Sequence, residues 1–110
     1  MATETKKVLG QSHPNATTAT TVYTVPASTQ AVVSSIVICN QSATATTFRI
    51  WIAVNGAGDG NTQYLYYDVS LPGNDTFVIT IGITLGAADL IRAYVGAATV
   101  SINVFGVEIS

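Results

Sequence analysis

The sequence predicts an all-β fold: an antiparallel two-sheet β-sandwich of about eight strands, in jelly-roll or Greek-key order, with an extended N-terminal arm. Apolar and polar residues alternate along several segments, which is typical of strands that bury one face. Clusters of Gly, Pro, Asn and Asp separate these segments at short intervals, as they do in sandwiches. No window combines helical periodicity with good helix formers, because Gly and β-branched residues interrupt the best candidate, residues 85–93.

The central feature is a predicted hairpin over residues 30–54. Its first run, residues 31–39, is dense in β-branched side chains, and its second, residues 46–54, alternates strictly. The small polar residues 40–43 between them suit a turn. One face of the second run carries Phe48, Ile50, Ile52 and Val54. Such a hairpin has one apolar face, which needs a second sheet to cover it.

Further strands are expected on either side of the hairpin. They span residues 20–25, 63–69, 76–83, 90–95 and 99–109. In the segment 63–69, uninterrupted alternation places Leu65 and Tyr67 on the core side and Tyr64, Tyr66 and Asp68 opposite. The predicted core comprises Val33 or Ile36, Ile38, Phe48, Ile50, Ile52, Leu65, Tyr67, Phe77, Ile79, Ile81, Ile91 and Val95.

The domain division is an N-terminal arm, residues 1–11, followed by a single sandwich domain, residues 12–110. The arm holds both lysines, Lys6 and Lys7, and its apolar content is Val8 and Leu9. We expect it to lie along a partner surface or a neighbouring copy, where main-chain hydrogen bonds can form. An unbound tail is the alternative.

The composition restricts the partners. Hydrophobic residues make up 48% of the chain and charged residues 9%, with a formal net charge of -2. This balance provides no basic surface for nucleic acid and no polybasic segment for an anionic membrane. A chain with so few charges has little repulsion to keep copies apart, which favours burial against copies or a larger assembly.

No arrangement of residues points to catalysis, a cofactor or a metal, so we expect a protein that is not an enzyme. The single cysteine, Cys39, lies within an apolar run, and His13 has no nucleophile near it in sequence. Asp68 is the one acid in mid-strand, and Arg49 or Arg92 would be a suitable partner. Residues 59–61 resemble part of a calcium loop only faintly, and turn composition explains them equally well.

Outward-facing aromatic and arginine side chains are the most informative feature for function. Trp, Tyr and Arg are enriched at interface hot spots because they bury much area and keep a polar group. Packing beneath loops or over a sheet edge is the alternative. With the arm, the candidate interface with a partner or with copies of the chain comprises Lys6, Lys7, Val8, Leu9, Arg49, Trp51, Tyr64, Tyr66, Arg92 and Tyr94.

Scattered strand and turn segments resemble a family of small structural proteins of tailed bacteriophages. The segments are Val8-Leu9-Gly10-Gln11-Ser12, Tyr23-Thr24-Val25-Pro26, Val33-Ser34-Ser35-Ile36-Val37-Ile38-Cys39-Asn40, Thr46-Thr47-Phe48-Arg49-Ile50, Tyr66-Tyr67-Asp68 and Asn74-Asp75-Thr76-Phe77. The resemblance implies a β-sandwich virion protein, made in the host cytoplasm, that decorates or cements the outside of a capsid. It also implies a homotrimer that binds the major capsid protein. The alternative is a tail or fibre-tip module that binds a host glycan or receptor.

Overall fold

The computed structural model describes residues 3–110, which form nine strands and one short 3-10 turn. The strands are β1 (Glu4–Ser12), β2 (Thr20–Thr24), β3 (Gln30–Asn40), β4 (Thr46–Ala53), β5 (Tyr64–Leu71), β6 (Thr76–Ile79), β7 (Ile83–Leu85), β8 (Leu90–Val95) and β9 (Val100–Ile109). The turn, Val54–Gly56, follows β4. The predicted all-β sandwich is confirmed, with nine strands rather than about eight.

The strands form two antiparallel sheets whose order identifies the fold as a jelly roll. The first sheet has the order β1-β9-β3-β6, with β7 also paired to β3, and the second has the order β2-β8-β4-β5. Because β6 and β7 occupy one position beside β3, the nine strands fill eight positions, four in each sheet. The predicted hairpin over residues 30–54 is wrong, because β3 lies in the first sheet and β4 in the second, and the two do not pair. The chain crosses between the sheets repeatedly, so most neighbours within a sheet are distant in sequence, and β4 with β5 is the exception. This winding is the double Greek key of a jelly roll.

The core lies between the two sheets and contains most of the predicted residues. Of these, the buried ones are Val33, Ile36, Ile38, Phe48, Ile50, Ile79, Ile91 and Val95. Ile52 and Phe77 are partly buried against the same cluster. Alternation identifies these positions because successive side chains of a regular strand lie on opposite faces of the sheet.

The sequence predicts that either Val33 or Ile36 lies in the core, and a bulge in β3 buries both. Val33 lies opposite Gly106 and Ser35 opposite Phe105, so Ser34 is an extra residue in β3. An extra residue shifts the alternation by one, and two residues three positions apart then share a face.

Two bulges in β5 correct the predicted faces of that strand. Phe48 pairs with Val69 and Ile50 pairs with Tyr66. Two residues of β5, Tyr67 and Asp68, therefore lie opposite the single residue Arg49 of β4. One of the two is Asp68, with φ 49°. Leu65 is a second extra residue, since Tyr64 pairs with Trp51. Consequently Leu65 and Tyr67 are 41% and 55% exposed, and Tyr66 packs against the core instead.

Ile81 is also misplaced by the sequence pattern. The predicted strand over residues 76–83 is divided into β6 and β7, because the chain bends at Gly82, where φ is +66°. Both pieces pair with β3, but Ile81 lies in the bend and is 57% exposed.

Strand β1 corrects the predicted arm. Residues 4–12 pair with β9, from Glu4 opposite Ile109 to Ser12 opposite Ile102, and form an edge of the first sheet. A bulge between Val8 and Gly10 places Leu9 in the core at 9% exposure and leaves Val8 46% exposed. The boundary at Ser12 therefore falls inside the sheet. Met1 and Ala2 of the predicted arm lie outside the described residues.

A small polar cluster ties β1, β2 and β9 together. The Tyr23 hydroxyl donates to Glu108 Oε2 at 2.6 Å, and Lys7 Nζ donates to Oε1 at 3.2 Å. Burial, reinforced by the Glu108 carboxylate, raises the pKa of Tyr23, and the hydrogen bond from Tyr23 lowers the pKa of Glu108 below its usual value. Because the folded-state pKa of Glu108 is lowered, its stabilising contribution is present at neutral pH and is lost as pH falls through that pKa.

The placement of β1 predicts unequal effects of two neighbouring substitutions. Leu9→Ala should lower the free energy of unfolding by about 2–5 kcal/mol, because it leaves a cavity in the core. Val8→Ala removes an exposed side chain and should change that free energy by less than about 0.5 kcal/mol. Urea denaturation of both variants in dilute solution measures the difference. Equal, negligible losses would show that residues 4–12 lie outside the packed domain.

Candidate interaction surface

Arg49 occupies the centre of the outer face of the second sheet. It lies on β4, between β8 and β5. Its Nε donates to Asp68 Oδ1 at 2.6 Å and an Nη to Oδ2 at 3.2 Å, a two-point pairing. The expected pairing of Asp68 with an arginine is confirmed. The hydrogen bond lowers the pKa of Asp68 and raises the pKa of Arg49, so both groups stay charged at neutral pH.

Two tyrosine rings enclose the Arg49 guanidinium. Its Cζ lies 4.2 Å from the centroid of Tyr67 and 4.4 Å from that of Tyr94. Both distances are within the range of cation–π attraction. Tyr94 is the cross-strand neighbour of Arg49, and the bulge at Asp68 brings Tyr67 to its other side. We call Arg49, Tyr67, Asp68 and Tyr94 the Arg49 surface.

Trp51 lies beside the Arg49 surface but is covered. Its side chain is on the outer side of β4, yet it is 2% exposed. The indole Nε1 donates to Asp59 Oδ1 at 2.9 Å, and Arg92 donates to both oxygens of that carboxylate at 3.0 and 3.1 Å. Tyr64 closes another side, with its ring centroid 5.2 Å from that of Trp51. Trp51 therefore belongs beneath a loop rather than on the exposed interface.

The role of Asp59 follows from these contacts. Both of its carboxylate oxygens accept hydrogen bonds from protein donors, so its charge is balanced by Arg92. This disfavours the faint calcium-loop pattern of residues 59–61, since a cation would have to displace those donors. Within residues 3–110, no group of three or more His, Cys, Asp or Glu side chains could hold a metal ion.

The predicted interface residues of β5 and β1 are divided between core and surface. Tyr66 faces the core, with its ring centroid 6.2 Å from that of Phe48 and 5.7 Å from that of Phe77. Leu9 is likewise in the core. The structure thus removes both from the exposed set.

The other predicted residues of β1 are exposed, but on the first sheet. Lys6 is exposed, Lys7 pairs with Glu108, and Val8 is exposed at the sheet edge. They do not meet Arg49 and Tyr94, which lie on the other sheet.

Tyr67 is the member of the Arg49 surface whose placement the sequence pattern missed, whereas Asp68 lies on the predicted outer face. Alternation gave Tyr67 to the core, and only the bulge reverses it. The one local signal is the aspartate itself, because Asp tolerates positive φ better than most residues. Tyr67 also packs edge-on against Tyr64, at 4.8 Å between ring centroids, which connects the Arg49 surface to the side chains around Trp51.

This arrangement is suited to contact with another macromolecule. Tyr67 is 55% exposed and Leu65 beside it is 41% exposed, so aromatic and aliphatic area is available to a partner. Arg49 is already fixed by its ion pair and two rings. A side chain that is ordered before binding loses little further entropy, which favours affinity.

The comparisons with known proteins support the fold. No protein-family model matches the sequence, and no curated protein sequence matches it. A chain in the solved structure of infectious bursal disease virus, Gx strain, is similar with a TM-score of 0.55 at 7% identity. The match covers 99% of this chain and 37% of the viral chain, so this chain spans little more than a third of that chain's length. Within residues 3–110, no helix has the length and apolar character needed to cross a membrane.

The covering of Trp51 predicts a shielded fluorophore. Trp51 is the one tryptophan of the sequence. Its emission should therefore be blue-shifted and weakly quenched by acrylamide. Asp59→Ala should shift the emission to the red, increase quenching, and cost about 1–3 kcal/mol, because a buried indole N–H loses its acceptor. Asp75→Ala, in an exposed turn, is the control. A readily quenched wild-type tryptophan would contradict the structure.

Proposed function

We propose that this protein is a structural component of a virus particle, a decoration protein that binds the outside of a capsid and stabilises contacts between its subunits. The observation that carries the proposal is the jelly-roll strand order, together with its likeness to a chain of a virus structure. The resemblance of several segments to structural proteins of tailed bacteriophages supports the same class. In this proposal the protein is assembled into the virion and performs no catalysis.

The charge distribution supports a role in assembly. The second sheet and its loop carry two ion pairs, Arg49 with Asp68 and Arg92 with Asp59, so their formal charges cancel. A neutral surface rich in tyrosine can be covered by another protein without leaving an unpaired charge buried. The major capsid protein and further copies of this chain are the proposed partners.

Within this proposal, three copies assemble as a homotrimer and the Arg49 surface forms contacts with a copy or with the capsid. Tyrosine and arginine dominate interface energies when they lie centrally and are desolvated on binding. Tyr67 and Arg49 meet these conditions best, since one is exposed and the other is held in place beside it. The three-fold symmetry is proposed because the resemblance to structural proteins of tailed bacteriophages implies it.

Copy number in purified particles tests the proposed location. A decoration protein should be present in hundreds of copies, comparable with the number of capsid subunits. Quantitative gel analysis of particles, calibrated with the purified chain, measures this number. A few copies for each particle would contradict capsid decoration and support the tail or fibre-tip module.

The same particles test the Arg49 surface. Tyr67→Ala should weaken attachment by about 2 kcal/mol, or about 30-fold in the dissociation constant, because it removes a central aromatic contact. Val54→Ala is the control, since Val54 is 64% exposed but lies away from this surface, in the turn after β4. Occupancy of particles stripped of the protein and titrated with each variant provides the readout. Equal occupancy by both variants would exclude the Arg49 surface from the contact.

A further inference from the structure

The outer face of the first sheet is a second broad surface, and several exposed apolar side chains lie on it. In β3 and β9 the buried residues alternate with residues that lie on this outer side. We call the apolar ones, with their neighbours on β1 and β6, the first-sheet face. It comprises Val8, Val32, Val37, Val78, Phe105 and Val107.

The strand register brings these side chains into rows across the sheet. Val8 lies opposite Phe105, and Val32 lies opposite Val107. Val37 lies opposite Val78. Directly opposed side chains of neighbouring strands are in contact range, so each pair joins apolar area across two strands. Polar residues lie in the same rows, with Lys6 opposite Val107, Ser35 opposite Phe105 and Asn103 opposite Val37.

All six members of the first-sheet face keep some exposed area. Val78, Val8 and Val32 are 55%, 46% and 38% exposed, and the other three members are half-buried. Isolated exposed apolar residues are ordinary, but several that are paired across one sheet face favour an interaction site.

Three polar side chains on this side of the sheet are already hydrogen-bonded. Gln11 Nε2 donates to Asn103 Oδ1 at 2.7 Å, and the Ser34 hydroxyl donates to the Phe105 carbonyl oxygen at 3.0 Å. A partner that covers these three side chains would leave none of their hydrogen bonds unsatisfied, which lowers the desolvation cost at their positions.

The charges of the first sheet favour a copy of the same chain. Its five strands contain four charged residues, of which Lys7 and Glu108 pair with each other. The remaining two, Glu4 and Lys6, have opposite signs and lie together on the edge strand β1. The face therefore carries no net charge, and two copies can approach without repulsion. A surface that meets itself about a two-fold axis must be self-complementary in this way.

The size of the sheet is also appropriate for a dimer. Four strands spaced about 4.8 Å apart and nine residues rising about 3.3 Å each give a flat footprint of roughly 600 Å². This area does not include the unevenness that side chains add to the surface. A stable interface buries about 800 Å² on each partner. The flat footprint is somewhat below that size, so a two-fold contact would have to use the whole face and side chains at its rim.

We propose that the first-sheet face is a two-fold contact between two copies of this chain. The two faces would stack as sheets about 10 Å apart, in the manner of a sandwich. This contact is independent of the proposed function, because it uses the opposite sheet from the Arg49 surface. If the three-fold contact also forms, the two-fold contact would link one trimer to another.

Sedimentation equilibrium of the purified chain tests the proposal, with Val78→Asp and Val54→Asp as matched variants. Both residues are exposed valines, but only Val78 lies on the face. Val78→Asp should raise the dimer dissociation constant by about 100-fold or more, because the contact would bury an unpaired charge. Val54→Asp should leave it unchanged. Val8→Asp, on the opposite strand of the face, replaces Val78→Asp if circular dichroism shows that Val78→Asp is misfolded.

Modification of Cys39 by a maleimide provides an independent readout. Cys39 is half-buried and lies on the outer side of β3, between the positions of Thr76 and Ser101. Its modification rate should fall as the wild-type concentration rises into the dimer range, and should stay constant for Val78→Asp. Tyr67→Ala should not affect this concentration dependence, which separates the two-fold contact from the Arg49 surface.

Three results would overturn the proposal. The first is a wild-type monomer at tens of micromolar. The second is equal loss of association in Val78→Asp and Val54→Asp. The third is protection of Cys39 only on assembled particles, which would show that another virion protein covers the face.

Discussion

The structure depends on the antiparallel pairing of β3 with β9. This ladder runs from Gln30 opposite Ile109 to Asn40 opposite Val100, and β1, β6 and β7 add to its two sides. Its inner positions build one wall of the core. At its end the buried Asn40 side chain donates to the Thr44 carbonyl oxygen at 2.9 Å and accepts from the Thr99 hydroxyl at 3.0 Å. The loops around the ladder are thereby fixed to it, which matters because a buried amide without partners would destabilise the fold.

Single-residue bulges then decide what the sandwich presents to its surroundings. The extra residue in β1 moves Leu9 into the core, and the extra residue beside Arg49 turns Tyr67 outward while Tyr66 stays inside. Core packing and the exposed surface are therefore linked, because a strand cannot change one face without changing the other. The two outer faces differ accordingly. One carries charges paired with each other and tyrosines around Arg49, and the other carries exposed valines and charges that cancel on its edge strand.

The sequence predicts the fold class better than the sites. Strict alternation in β4 and glycine-rich turns were sufficient for the sandwich, because burial of one face requires that period. The sequence does not predict the strand β1, because its residues are mostly polar and its burial depends on β9, about a hundred positions later in the chain. Alternation predicts an exposed Trp51, and this is wrong because a loop held by Asp59 and Arg92 covers it, a tertiary contact without a local sequence signature. The sequence does predict that Asp68 pairs with an arginine, because opposite charges in neighbouring strands stabilise each other.

The reversal of Tyr66 and Tyr67 is the most direct test of this account, and hydroxyl-radical footprinting measures it with two adjacent residues of identical chemistry. The bulged structure predicts faster oxidation of Tyr67, which is 55% exposed, than of Tyr66, which packs against the core. Phe48, which is fully buried, provides the reference for a protected aromatic ring. Faster oxidation of Tyr66 than of Tyr67 would show that β5 alternates without a bulge. It would also contradict both the core packing and the Arg49 surface described above.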